Sequence, residues 1–448
     1  MREGNLEAPT RHPIDWKNAE FYDEAAAFKE LERVFEICHG CRRCVVLCQS
    51  FPTLFDLVDA TADGEVHGVA KDDYWKVVDH CYLCDLCYMT KCPYVPPHPW
   101  NVDFPHVMLR AKAIKHKKGG VTVRDELLAS TDVHGQFAGI PIVSQVVNKV
   151  NAMPAARKLL QSQFNVHADA WLPAMATQRF RWGRAMNNPS FEVRDGERTP
   201  GKVAIFATCT VNYNEPAIGE DLVKVLEHNE IPYEIVGKEQ CCGMPKLELG
   251  DLEAVERAKN ANIPVLAKYA REGWAIVASV PSCTLMFKQE LPLLFPDDAD
   301  TQRVKDAMWD PFEYLVSRHK DGLLKTDFKT PLGKVSYHVP CHARVQNVGR
   351  KTEEMLKLVA QTVEVTLNTV ERCSGHAGTY GVKVPTHAAA MKIGKPVFKS
   401  MDKDTPDVIA SDCPLAGHHI AQGMQQAGTP PKAVGHPLTL LRIAYGLE

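Results

Sequence analysis

The sequence predicts a multidomain α+β chain: a helical, cysteine-rich N-terminal domain followed by a duplicated α/β unit. Three observations predict it. Eight of the fifteen cysteines fall between Cys38 and Cys92, among segments with helical spacing. After residue 201 strand-like and helix-like segments alternate, and their order occurs twice. The last seven cysteines follow that order. Cys209 and Cys241 lie 32 positions apart, as do Cys341 and Cys373, and the matched cysteines are offset by 132, 132 and 130 positions. Three matched offsets mark a duplication.

With 448 residues, 45% of them hydrophobic and 24% charged, the chain can bury the cores of several domains. A formal net charge of −3 gives no global attraction to nucleic acid or to an anionic membrane. No apolar run reaches the roughly 18 residues that span a bilayer. The opening MREGNLEAPTRHPIDWKNAEF has no apolar core and no small-residue cleavage site, so a cytoplasmic chain is expected. Thiols stay reduced there, and clustered cysteines then point to metal rather than to disulfides.

Taken in order, residues 20–37 carry apolar positions at helical spacing and run into the first cysteine. The cysteine block closes on PYVPPHP, and the N-terminal domain is expected over 20–115. A helical connector covers 116–200 and ends in the polar stretch NNPSFEVRDGERTPG. The first α/β repeat spans 201–330. KVAIFA, PYEIV and AIVASV read as its strands, with helices over 215–229 and 252–273. The second spans 331–448. KVSYHV, VEVTLNT and DVIASD are its strands, with helices over 350–360 and 386–401.

Cys38, Cys41, Cys44 and Cys48 form C-x2-C-x2-C-x3-C, and Cys81, Cys84, Cys87 and Cys92 form C-x2-C-x2-C-x4-C-P. Three thiolates within seven residues can wrap three irons of a cubane, and the fourth cysteine of each run turns to the other cluster. The expectation is two 4Fe-4S clusters, one on Cys38, Cys41, Cys44 and Cys92, the other on Cys81, Cys84, Cys87 and Cys48. Zinc is the rival, but a structural zinc site wants ligand pairs split by a longer loop. Two departures stand out: Gln49 follows Cys48 where proline is usual, and one extra residue precedes Cys92. His39, His80, His98 and His106 lie nearby and read as packing or surface residues rather than ligands.

In the repeats the cysteines fall just after strands or in glycine-containing turns. Loops at the carboxyl ends of parallel strands converge on one crevice, so Cys209, Cys241, Cys242 and Cys283 can meet. The bland reading, cysteine as a small buried hydrophobe, does not explain duplicated cysteines in turns. GHAGTYG lacks the order of a dinucleotide fingerprint and reads as a tight loop around Cys373. No P-loop and no flavin or nicotinamide motif is visible, so electrons arrive from another polypeptide. Arg110, Lys112, Lys115, Lys117 and Lys118, and the run of Arg179, Phe180, Arg181, Trp182 and Arg184, suit a membrane surface, a partner or a solvated face.

The long segment between the two cysteine runs resembles a helical two-cluster ferredoxin domain. ATCTVNYNEPAIGEDL, KEQCCGMP, PSCTLMFKQELP, YHVPCHARV, CSGHAGTYGVK and ASDCPLAGHHI resemble the doubled cysteine-rich (CCG) motif of iron–sulfur oxidoreductases of the heterodisulfide-reductase type. Within that family they are most similar to the iron–sulfur subunits of anaerobic glycerol-3-phosphate dehydrogenases. The resemblance implies a further cluster on Cys209, Cys241, Cys242 and Cys283, with Met286 ending the last motif. It implies a poorer site on Cys341, Cys373 and Cys413, where Ser374 and Ala416 replace thiols and His342 and His376 flank the set. One or two further clusters are thus added to the two cubanes. The implied role is passing electrons from a flavoprotein dehydrogenase toward membrane quinone, at the inner face of the cell membrane. The alternative is a reductase acting at a C-terminal cluster on a disulfide or a partner protein.

Overall fold

The computed structural model describes residues 8–90, 92–182, 186–188, 190–237 and 239–448. The N-terminal part is helical. Asp23 caps the helix Glu24–Cys41, accepting from the Ala26 N–H at 3.1 Å, and Ala27, Leu31, Val34 and Phe35 form its buried stripe. Helices Ser50–Asp59, Tyr74–Asp79 and Phe104–Lys117 close over an aromatic core. In it the Phe51 and Phe104 rings lie 4.6 Å apart, and Phe35 meets Tyr74 edge-on at 5.0 Å. Four short helices follow, Val123–Leu128, Thr131–Ala138, Pro141–Asn151 and Pro154–Phe164.

Each repeat is a four-stranded, all-parallel sheet. The first holds β1 (Val203–Phe206), β2 (Tyr233–Ile235), β3 (Ala275–Ala278) and β4 (Met308–Trp309), in the order β2-β1-β3-β4. The second holds β5 (Gly333–His338), β6 (Val365–Val370), β7 (Val408–Ser411) and β8 (Val434–Gly435), in the order β6-β5-β7-β8. In the first sheet Val203 pairs with Tyr233 and Ala275, and in the second Val335 pairs with Leu367 and Val408. The six longer strands lie where the alternation places them. The two-residue edge strands β4 and β8 carry no period-2 signal and escape the sequence reading.

The parts share one hydrophobic core that runs from Leu31 and Phe104 through Ile205 and Val277 to Tyr337 and Leu441. The C-terminal helix Pro437–Tyr445 of the second repeat lies on helix Pro216–His228 of the first. There Asp221 accepts from Thr439 Oγ1 at 2.5 Å and pairs with Arg442 at 2.6 Å.

The N-terminal strap is pinned by one cation. Arg11 is 9% exposed and pairs with Asp85 at 2.6 Å, Asp103 at 3.1 Å and Glu290 at 3.3 Å. These carboxylates come from the second cysteine loop, the start of helix Phe104–Lys117 and the first repeat. His106 joins them, 3.0 Å from Asp103 and 3.5 Å from Glu290. Nearby, Ile14 N–H donates to the Leu293 carbonyl at 2.9 Å and Trp16 Nε1–H to the Leu294 carbonyl at 3.1 Å.

Burial and Arg11 disfavour charge on His106, but Asp103 and Glu290 outweigh them and hold its pKa at about 9. A histidine raised in the folded state stabilises fully below its unfolded pKa of roughly 6.5 and loses that contribution as pH rises through the folded value. Urea midpoints are therefore expected to fall between pH 6.5 and 9, with that part of the slope gone in His106→Gln. Arg11→Ala leaves three buried acids without their cation and is expected to cost about 3–5 kcal/mol. A flat profile, or a wild-type midpoint in Arg11→Ala, would remove the network's role.

Candidate metal centres

The two N-terminal cysteine runs exchange their last members. Cys38, Cys41, Cys44 and Cys92 line one cavity, floored by Phe51, Phe55 and Val102. Cys48, Cys81, Cys84 and Cys87 line a second. These cavities gather the two groups of four that the sequence reading names. Left-handed residues shape the loops: Arg42 at φ 51° ends the first helix, and Leu83 (φ 50°) and Asp85 (φ 59°) flank Cys84. Such turns aim backbone N–H groups inward. Ser50 and Phe51 donate to the Cys48 sulfur, Leu83 to Cys81, and Tyr94 and Val95 to Cys92. Burial dominates all the same, pushing the Cys48 thiol up to about 12 and Cys92 to about 11. Metal binding must displace those protons.

In the first repeat Cys209 follows β1, Cys241 and Cys242 follow β2, and Cys283 follows β3. The thiols contact in series, Cys209 to Cys241, Cys241 to Cys242 and Cys242 to Cys283. Thr208 precedes Cys209 at φ 62°, a conformation a β-branched residue rarely takes. It caps the next helix through the Val211 N–H at 3.2 Å. Gly243 sits at φ 97°, and a Cβ there would lie 3.5 Å from Met286 Cε, so the thioether end reaches the Cys-Cys-Gly turn. The connector closes this site. Thr131 faces the Cys209 and Cys241 thiols, and Asp132 Oδ2 accepts from the Cys241 N–H at 2.6 Å. Arg181 pairs with buried Glu239, which accepts from the Ala207 N–H at 2.9 Å.

In the second repeat Cys341, Cys373 and Cys413 follow β5, β6 and β7. After burial, Cys373 and Cys413 are the first groups that oppose ionisation of Cys341. Gly375 N–H donates to Cys373 Sγ at 3.4 Å, and Leu415 and Ala416 N–H groups to Cys413. Gly375 (φ 86°) must be glycine, because a Cβ would lie 2.1 Å from the Ala390 carbonyl oxygen. Ser374 and Ala416 are buried where the first repeat has Cys242 and Met286.

The Cysteine-rich domain (CCG) family profile matches residues 203–288 and 335–421, the three longer strands of each sheet with their cysteine loops. Lactate utilization protein A of Bacillus cytotoxicus is 30% identical over 220 residues, 47% of this chain and 87% of that protein. The chain belongs to the cysteine-rich CCG family. A similar relative is one of the subunits of the anaerobic glycerol-3-phosphate dehydrogenase of Escherichia coli, 26% identical over 345 residues, 77% of this chain and 82% of the relative. A subunit of the fumarate reductase (CoM/CoB) of Methanothermobacter marburgensis is 26% identical over 253 residues, 56% of this chain and 48% of the relative.

The donor sets of this CCG protein fit iron–sulfur clusters better than single ions. Four thiolates around one zinc, at Zn–S of about 2.3 Å, lie roughly 3.8 Å apart. Among the described residues no three cysteine sulfurs lie within 4.8 Å of one another, and the one ligand triad that does is His116, Glu126 and Asp251. That triad is an ion-pair knot, with Glu126 Oε1 2.8 Å from His116 and Oε2 2.9 Å from Lys246.

The histidines have other employment. His39 Nδ1 lies 2.9 Å from Arg42 Nη2, His80 Nδ1 lies 2.7 Å from the Tyr380 hydroxyl, and His98 Nδ1 accepts from the Trp100 N–H at 3.1 Å. His342 Nδ1 lies 2.8 Å from Ser282 Oγ, joining the repeats, and His376 packs on His419 at 5.3 Å.

The basic stretches are not a free cationic surface. Arg110 donates to the Phe21 carbonyl at 2.8 Å, Lys115 pairs with Asp79 at 2.7 Å, and Lys118 pairs with Glu24. Lys112 and Phe180 are buried, and Arg179 donates to the Gln136 carbonyl at 2.8 Å. Arg184 lies outside the described residues. Asp132→Ala leaves the Cys241 N–H without its acceptor and is expected to cost about 1–3 kcal/mol. Iron per chain in the anaerobically purified variant should fall by one centre's worth, and an unchanged content would show that the connector does not support this site.

Proposed function

We propose that this chain is an iron–sulfur electron-transfer subunit, taking electrons from a flavoprotein dehydrogenase of the glycerol-3-phosphate type and passing them toward a quinone or another acceptor. The observation that carries the reading is the exchange of Cys48 and Cys92 between the two N-terminal runs. In two-cluster ferredoxins the fourth cysteine of each C-x2-C-x2-C run ligates the other cluster, and the exchange matches that pattern. One 4Fe-4S cluster would be held by Cys38, Cys41, Cys44 and Cys92, the other by Cys81, Cys84, Cys87 and Cys48, in a ferredoxin-like module. Cys209, Cys241, Cys242 and Cys283 would hold a further centre. Bound clusters supply one-electron carriers whose potential follows local charge and the hydrogen bonds to sulfur. The protein's own work is to keep those sulfurs dry, to aim N–H groups at them and to offset Asp85 with Arg11. The dehydrogenase role of the partner rests on the likeness to the Escherichia coli protein.

A second surface supports a membrane-side location. No helix among the described residues is long and apolar enough to cross a membrane. Twelve of the seventeen exposed large hydrophobics among the described residues nevertheless lie between Val123 and Phe164, Ile142 at 77% and Phe137 at 69% exposure among them. From 133 to 168 there is no acidic residue, while Lys149 and Lys158 are exposed. An apolar, cationic face of this kind suits the surface of an anionic bilayer.

Anaerobic protein should carry iron and sulfide in equal number, about eight of each from the N-terminal domain alone. Cys92→Ser is expected to remove the same EPR signal as Cys38→Ser, and Cys48→Ser the same signal as Cys81→Ser. Zinc without sulfide, or losses grouped by sequence run, would overturn the assignment. Flotation with vesicles containing phosphatidylglycerol should carry the protein up. The double variant Ile142→Asp, Val146→Asp should reduce binding at least tenfold, and no binding by the wild type would sink the membrane-side location.

A further inference from the structure

A cavity of about 130 Å³ lies where the two repeats meet, and no cysteine lines it. That is room for several waters, and so for a molecule of a few heavy atoms. Asp310, just after β4, is the first repeat's part of its wall. The second repeat adds Tyr337 of β5, Asp412 after β7 and the turn from Ala343 to Thr352.

The buried end of this lining is acidic. Asp310 and Asp412 are both buried, and among the described residues neither has an ion-pair partner. Asp412 spends its two oxygens on the Thr352 hydroxyl, at 2.8 Å, and on the Tyr337 hydroxyl. Asp310 accepts the Phe312 and Glu313 N–H groups with Oδ1, at 2.8 and 3.3 Å. No bond among the described residues engages its Oδ2. Burial pushes the Asp310 carboxyl up to about 7, and its charged neighbours Asp412 and Glu313 push the same way. Gln346 adds an acceptor. It is 7% exposed and its Nε2 donates to the Pro281 and His342 carbonyls, at 3.2 and 2.8 Å, while its Oε1 has no partner. A buried acceptor is costly without a donor, and a ligand N–H would supply one.

The rim is cationic. Arg344 and Arg350 both pair with Glu371, at 3.2 and 2.7 Å. Arg350 and Lys357 both pair with Glu353, at 3.2 and 2.7 Å, and Lys351 and Lys320 both pair with Glu354, at 2.9 and 3.4 Å. Each carboxylate there serves two cations, so positive charge is in excess. Helix Lys351–Val359 also begins at this cavity, and no side chain caps its N-terminus. Free N–H groups at a helix start favour an anion. A lone anion in the cavity would meet Asp310 and Asp412, and a lone cation would meet Arg344 and Arg350. A molecule that carries both charges satisfies both ends.

We propose that this cavity binds a small zwitterionic amino acid, its ammonium held by Asp310 and Gln346 and its carboxylate by Arg350, Lys351 and the open N-terminus of helix Lys351–Val359. The site is separate from the metal centres, so the proposal does not depend on the cluster reading.

The test is calorimetric titration of the full chain, purified anaerobically. The probes are glycine, L-alanine, L-serine and β-alanine, with propionate and ethylammonium as the two half-molecules. At least one amino acid is expected to bind saturably, one per chain, and to raise the unfolding midpoint. Each half-molecule lacks one charge and should bind about tenfold more weakly or worse. Asp310→Asn keeps an acceptor at the start of its helix and removes the charge. Arg350→Gln alters a half-exposed side chain and does not depend on tolerating a buried change. Each should weaken amino-acid binding about tenfold or more.

No saturable binding of any of the four amino acids would overturn the proposal. So would half-molecules that bind as tightly as the amino acid, or magnesium alone binding in a way that Asp310→Asn abolishes, since either would make this a single-charge site. Amino-acid binding unchanged in both variants would place the ligand elsewhere and would also overturn it.

Discussion

Asp85 stands between two cysteines of the same loop, 2% exposed, and a bare carboxylate there would not stay charged. Arg11 is what makes the position tolerable. Its guanidinium grips Asp85 through two bonds, at 2.6 and 2.9 Å, and stacks over the Tyr88 ring at 4.4 Å. Because the same guanidinium also meets Asp103 and Glu290, the neutralisation of one loop fixes the strap, the helix Phe104–Lys117 and the first repeat around a single point. Burial still raises the Asp85 carboxyl, to about 6, against the pull of Arg11. The balance is close, and it explains why four separate chain segments have to arrive together. The charge of the cysteine loop is settled by residues far from it in sequence.

The duplication shows how one fold yields two different seats. Both sheets have the same strand order, so both bring three loops to the carboxyl end. What differs is the last residue before each first cysteine and what covers the crevice. In the first repeat Thr208 takes a strained left-handed turn into Cys209. In the second Pro340, at φ −71°, leads into Cys341 without strain. The first crevice is shut by the connector, with Asp132 bonded to the Cys241 N–H. The second is left for the N-terminal domain to fill. Ser374 and Ala416 remove sulfur where the crevice gained a neighbour.

Much of this was legible in the sequence because its causes are local. The C-x2-C-x2-C runs state their own partition. The strand–cysteine–helix order states where thiols converge, and the 132-residue offset states the duplication. Other features depend on partners that no window contains. Arg11 meets acids 74, 92 and 279 positions away, and nothing in its neighbourhood sets it apart from other arginines. The basic run over 110–118 reads as cationic by composition, yet Arg110, Lys115 and Lys118 are each engaged, by the Phe21 carbonyl, Asp79 and Glu24. The exposed apolar face of 123–164 was hidden for the opposite reason. An amphipathic helix reads the same whether its stripe meets a core or solvent, and here the stripe has no core to meet.

The charges around the repeats bear on how the seats would differ as carriers. The Cys209–Cys283 set has Asp132 and Glu239 beside it, with Arg181 as the cation paired there. Cys373 has Arg344 and Arg372 near enough to favour its thiolate, although burial wins and raises the thiol overall. Glu248 works against them at Cys341 and Cys413, while Lys112 and Lys383 face Glu248 and offset its charge. Anionic surroundings favour the oxidised form of a cluster and cationic surroundings the reduced form, since each added electron is a negative charge. The two crevices thus present different local charge to anything they hold.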